Sequence, residues 1–137
     1  KEISTEDAGL IVEKVKSHSW YVQQLSHFVW SATRKAVTVE IVDKAFSQIV
    51  NTNLPLYVAE CEALSITQLN LLIAIAKGES ILTGATTMSK YKLGTPQNVS
   101  KNKIVLEQKD ILDKTVEGFY FLDPVFEFWF KSEYVDG

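Results

Sequence analysis

The tightest constraint on this chain is the punctuation at Leu93-Gly94-Thr95-Pro96. Glycine closes one helix, and a threonine N-cap followed by a proline at the first helical position opens the next. Only two or three residues remain for the turn, so the two helices must meet at a sharp angle. The helix before the turn is expected over Thr86–Lys92, and the one after it from Thr95-Pro96 to about Lys109. Downstream, Ile111–Thr115 and Phe119–Leu122 read as two strands around Val116-Glu117-Gly118, a hairpin turn. Upstream, Ser65 and Gln68 form a capping-box pattern ahead of an apolar run. Its expected stripe is Leu69, Leu72, Ile73 and Ala76, and Gly78 is its stop. Asp123-Pro124 repeats the cap-plus-proline signal and opens a last helix, Val125 to about Ser132.

The first half reads as helices. Asp7–Ser17 carries Leu10, Ile11 and Val15 on one stripe. A break at Ser17-His18-Ser19 precedes a second helix holding Tyr21, Leu25, Phe28 and Val29, predicted to run to about Lys35. Val37-Thr38 is a junction with a threonine cap. Val39, Val42, Phe46, Ile49 and Val50 then repeat at helical spacing up to Asn51. The turn-rich Asn51-Thr52-Asn53 predicts a stop, and Pro55 a fresh start, giving a separate connector helix Pro55–Leu64.

Helix, short helix, tight turn, helix and hairpin is the order of a winged helix-turn-helix with a helix appended after the wing. The expected fold class is mainly α with a small β-hairpin. A helical lid-like subdomain over residues 1–54 is followed by a winged helix over 55–137 that ends in an aromatic helix. A small α+β domain with no special role has the same elements and stays open. With 46% hydrophobic residues the chain buries enough apolar surface to order itself. No apolar run is long enough to span a bilayer and no leader pattern is visible, so no membrane partner is expected. A single cysteine, Cys61, excludes an internal disulfide framework and fits a reducing, cytoplasmic setting. With only His18 and His27 beside it, there is little material for a metal site. No Ser-His-Asp order or paired carboxylates stand out as catalytic.

The net charge of −3 excludes nucleic-acid binding through bulk charge. Residues 80–106, however, hold Lys90, Lys92, Lys101 and Lys103 and no acid, which leaves ten of the 14 basic residues against all 17 acidic ones elsewhere. This segment surrounds the helix after the tight turn. One reading is a double-stranded DNA contact: Lys90, Lys92, Lys101, Lys103 and the wing's Lys114 on phosphates, with Gln97 and Asn98 toward base edges or backbone. The other is a protein contact. At 100° per residue, Val99, Asn102, Lys103 and Leu106 share one face, and Gln97, Asn98, Lys101, Ile104, Val105 and Gln108 the opposite one. An outward Ile104-Val105 pair suits a protein partner better than a groove of DNA. Asn102 and Lys103 facing the core are awkward on this wheel. In the last helix Phe126, Trp129 and Phe130 share a face while Phe128 points elsewhere, available to a partner. Asp123 reads as an N-cap, and Cys61 as a small buried hydrophobe.

Three stretches resemble one known family. Tyr120-Phe-Leu-Asp-Pro-Val-Phe-Glu-Phe-Trp129 resembles the Asp-Pro-x-Phe-x-x-Trp ending of archaeal and bacterial P-loop ATPases of the AAA+/STAND type. Leu106-Glu-Gln-Lys-Asp-Ile-Leu112 looks like the end of a winged-helix third helix running into the wing. Ser19-Trp-Tyr-Val-Gln-Gln-Leu25 resembles the lid-helix segment of the same ATPases. The resemblance implies a C-terminal regulatory or interaction module, with the ATPase domain of the same protein as its partner. It also implies nucleotide-sensing positions at His18, Ser19 and Arg34. Ser17-His18-Ser19 replaces the family's usual Gly-x-Pro at that point. ATP and magnesium are implied for the parent protein and no cofactor for this chain, which contains no G-x-x-x-x-G-K-[ST] loop to cradle phosphates. The chain is therefore not expected to be an enzyme.

Overall fold

A computed structural model describes residues Lys1–Asp136. The chain divides into two compact units, Lys1–Pro55 and the part from Leu56 onward. Among the described residues there are seven helices and one two-stranded sheet.

In the first unit, helix α1 spans Thr5–Lys14 and is capped by Ser4, whose hydroxyl accepts from Asp7 N–H at 3.0 Å. It ends earlier than expected because Lys16 and Ser17 take left-handed φ angles of 51° and 61°. Helix α2 spans Ser19–Ala32, three residues short of the expected Lys35. Thr33 leaves the helix in an extended conformation, with its hydroxyl tied back to Val29 O at 2.6 Å. The next residues then pair with the N-terminus: Glu2 N–H donates to Lys35 O (2.7 Å) and Val37 N–H to Glu2 O (2.9 Å). Ile11, Val15, Leu25, Val29, Val42, Phe46 and Ile49 are buried at the expected helical spacing.

Helix α3, Val39–Glu62, overturns the expected break. The 39–51 segment and the 55–64 connector are one continuous helix with Pro55 inside it. Proline costs the helix one main-chain bond and clashes with the carbonyl a turn earlier. The residues read as a turn instead bond back into the preceding turn. Thr52 Oγ1 donates to Gln48 O (2.8 Å) and Asn53 Nδ2 to Ile49 O (2.9 Å). Short polar side chains favour turns because they compete for backbone groups; here they bond back within a helix that continues.

The second unit holds the last turns of α3, then α4 (Ile66–Ala76), α5 (Ala85–Tyr91), α6 (Pro96–Gln108), β1 (Leu112–Thr115), β2 (Gly118–Phe121) and α7 (Pro124–Tyr134). This is the order read from the sequence. Ser65 and Gln68 form the expected capping box. The buried stripe of α4 is rotated from expectation: Leu71, Leu72 and Ala74 are buried, whereas Leu69, Ile73 and Ala76 are half-buried. The run Asn70-Leu-Leu-Ile-Ala-Ile-Ala76 is apolar nearly all round, so its phase is not encoded locally.

Lys92 adopts a left-handed φ of 57° to end α5, Leu93 is fully buried, and Gly94 has φ 86°. A Cβ at Gly94 would lie 2.9 Å from Asn98 Oδ1. That oxygen already accepts from Thr95 N–H (3.0 Å) and Thr95 Oγ1 (2.6 Å), so glycine is required by both angle and space. The hairpin pairs Leu112↔Phe121 through Thr115↔Gly118. Asp123 Oδ1 caps α7 by accepting from Val125 and Phe126 N–H, both at 2.9 Å. Phe126, Trp129 and Phe130 are buried, as the shared face predicts, in an aromatic cluster with Tyr57 and Phe121.

Candidate functional site

The capping box of α6 and the tight turn before it fix which side chains this helix turns inward. Val99, Asn102 and Leu106 are buried. The buried asparagine that looked awkward on the wheel has a partner on α4: Asn102 Nδ2 donates to Thr67 Oγ1 at 3.3 Å. Lys103 is half-buried, and its ammonium lies 5.9 Å from the centre of the Phe119 ring on β2. That contact sets the ammonium of an apparently inward lysine over an aromatic face.

The outward face carries Gln97, Ser100, Lys101, Ile104 and Gln108, all exposed. Ile104 exposes 56% of its surface. Val105, grouped with it from the sequence, is half-buried, so Ile104 stands without it. Asn98 is exposed but engaged in the cap with Thr95. Lys90 lies 3.7 Å from Glu79 and 5.2 Å from the Tyr91 ring. Lys92 is exposed at the C-cap of α5, and Lys114 is exposed on β1. Of the side chains assigned to DNA, Lys92, Gln97, Lys101 and Lys114 extend without a charged or capping partner.

The wing adds residues that the candidate set omitted. Val116 is fully exposed at the hairpin tip, and Ile81 is 70% exposed between α4 and α5. A valine beside Glu117 in a tight turn was the available signal. Tyr120 is also exposed, its hydroxyl 3.3 Å from Asp113 Oδ2, and that carboxylate's charge raises the phenol's pKa. A cleft of about 310 Å³ brings Lys103 and Lys114 together with Glu79, Glu117 and Phe119. Phe128 turns outward from α7 with 51% of its surface exposed.

In the first unit, His18 is the N-cap of α2 but makes no capping bond through its side chain; its ring lies 5.0 Å from that of Tyr21. Ser19 and Arg34 are exposed at opposite ends of α2. Among the described residues no group of three or more His, Cys, Asp or Glu could hold a metal, and no helix is long and apolar enough to cross a membrane. Burial pushes the Cys61 thiol up to about 11, against a lowering hydrogen bond with Tyr134, so it stays protonated at neutral pH. A protonated thiol is a poor nucleophile.

A family model described as a probable winged helix domain matches residues 55–132, more than half of the chain. No curated protein and no solved structure matches it. The match covers α4, the tight α5–α6 turn, the hairpin and nearly all of α7, and by it the chain belongs to the probable winged helix domain family.

Proposed function

We propose that this chain is a non-catalytic interaction module in which the outward face of α6 docks on a protein partner. The observation that carries this is Ile104, more than half exposed at the middle of the helix that follows the tight turn. The competing polar contacts are partly used up: Asn98 holds the cap and Lys90 faces Glu79. The wing tip presents Val116 and Glu117, an apolar and an acidic residue, where a phosphate-binding wing needs cations. The partner in this reading is the nucleotide-binding portion of a P-loop ATPase. The Asp123–Trp129 motif and the lid-like segment support that context, with His18, Ser19 and Arg34 facing the nucleotide state. Titration calorimetry of this chain against that portion supplied in trans tests the reading. Ile104→Glu is expected to weaken the complex at least tenfold and leave the unfolding midpoint unchanged. Equal affinity of the variant would remove α6 from the interface.

One observation favours a second reading, duplex DNA binding. The segment 80–106 has four lysines and no acid, and Lys92, Gln97 and Lys101 are exposed within it. This reading requires affinity that falls with salt and is lost on Lys101→Glu.

A further inference from the structure

The hairpin has an edge with no strand beside it. Its closing pair, Thr115↔Gly118, is hydrogen-bonded, and Leu122 N–H donates to Ile111 O at 3.1 Å. Antiparallel alternation then makes Lys114↔Phe119 and Leu112↔Phe121 the non-hydrogen-bonded pairs. The main-chain N–H and C=O groups of Phe119 and Phe121 therefore point away from β1. Among the described residues the sheet has two strands, and no backbone group pairs with that edge. The outer edge of β1 differs, because Lys114 N–H is taken by Asp113 Oδ1 at 2.8 Å.

The cleft of about 310 Å³ runs beside this edge, lined by Gly118 and Phe119 and by the stretch after α4 that includes Ser80 and Leu82. That stretch has no regular structure, and the N–H groups of Ser80, Ile81 and Leu82 make no backbone hydrogen bond. The cleft is thus lined in part by two stretches of main chain that carry unpaired backbone groups, at Ser80 and Leu82 and at Phe119. An unpaired edge is a template for an added strand, and strand addition is a recurrent way to bind an extended peptide.

Charge selects the peptide. Lys103 and Lys114 line the cleft without an ion pair. Of the two acids lining it, Glu79 is occupied by Lys90 at 3.7 Å and by the Tyr91 hydroxyl at 3.0 Å, which leaves Glu117. Two cations without an ion pair, Lys103 over the Phe119 ring and Lys114, therefore face one such anion, Glu117. Phe119, Ile75 and Leu82 supply the apolar wall. We propose that this cleft receives an extended acidic peptide segment of another protein, added as a third strand along β2. The site is separate from the outward face of α6 and does not depend on Ile104.

The test is amide hydrogen exchange by NMR on the whole chain, with the peptide acetyl-Glu-Val-Glu-Val-Glu-amide as probe. At saturation the amides of Phe119 and Phe121 are expected to exchange at least tenfold more slowly. Gly118 and Tyr120, already paired to β1, should change little. The double variant Lys103→Glu, Lys114→Glu should bind about fivefold or more weakly, and a lysine-for-glutamate peptide should also bind more weakly. Unchanged exchange at Phe119 with millimolar peptide would overturn the proposal. So would protection of Phe119 in the free chain, which would mean that residues 80–82 already occupy the edge.

Discussion

Helices α6 and α7 begin alike and end up with opposite tasks. Each opens on a side-chain cap followed by proline, Thr95-Pro96 and Asp123-Pro124, and they are 13 and 11 residues long. Yet α6 buries three residues, one of them asparagine, whereas α7 buries Pro124, Val125, Phe126, Trp129 and Phe130. Shared punctuation sets where a helix starts; the side chains that follow decide whether it carries the core or presents a surface. In this unit α7 carries packing, whereas α6 leaves Gln97, Ser100, Lys101, Ile104 and Gln108 exposed on its outer face.

Deleting the aromatic load of α7 breaks that contrast most severely. Trp129→Ala or Phe130→Ala is expected to cost about 3–5 kcal/mol in urea unfolding. Lys101→Glu or Ile104→Glu on α6 should stay within about 0.5 kcal/mol. Comparable losses on the two helices would erase the division of labour. Next in size is the turn that aims α6. Gly94→Ala forces an L side chain to φ 86° and into the Asn98 cap, at an expected cost of about 1–2 kcal/mol. A midpoint equal to that of the parent chain would show that the turn tolerates a Cβ.

The two caps sharpen the comparison further. Asp123 places one carboxylate oxygen on two N–H groups at the positive end of the α7 dipole, whereas Thr95 accepts one. Asp123→Ala is expected to cost more than Thr95→Ala, both near about 1 kcal/mol; the reverse order would count against the dipole contribution. The smallest effect concerns Glu60, on the last turns of α3. Burial raises its carboxyl pKa, the Asp123 charge adds to the rise, and Lys109 opposes it. A raised folded pKa means that ionising Glu60 disfavours the folded state, so stability should decline as pH climbs from the ordinary glutamate range through the raised value. Glu60→Gln should flatten that decline by less than about 0.5 kcal/mol in urea midpoints across this range. An unchanged slope would place the pH dependence elsewhere.

What could be read directly was the punctuation. The Ser65, Thr95 and Asp123 caps, the Gly94 turn, the hairpin and the shared face of Phe126, Trp129 and Phe130 all lie where short-range chemistry puts them. The misses were cases where one residue type serves two structures. Asn51-Thr52-Asn53 has turn composition, but two of its side chains bond to carbonyls one turn back inside the helix, and α3 runs on past Pro55. The phase of α4 was hidden because a helix apolar on all sides has no stripe to read. At the candidate site the sequence showed which side chains were polar but not which were occupied. Asn98 became a cap, Lys103 settled over Phe119, and Asn102 turned inward to Thr67. The last two depend on a partner elsewhere in the chain, whereas Asn98 is held by Thr95 three residues away.

The most direct test of the division between packing and recognition helices is anisotropy titration of random-sequence duplex DNA with this chain at low and moderate salt. If α6 faces a protein partner, low-salt affinity should be weak and Lys101→Glu should leave it unchanged. Tight, salt-sensitive binding abolished by Lys101→Glu would contradict that assignment and make α6 a DNA-contacting helix.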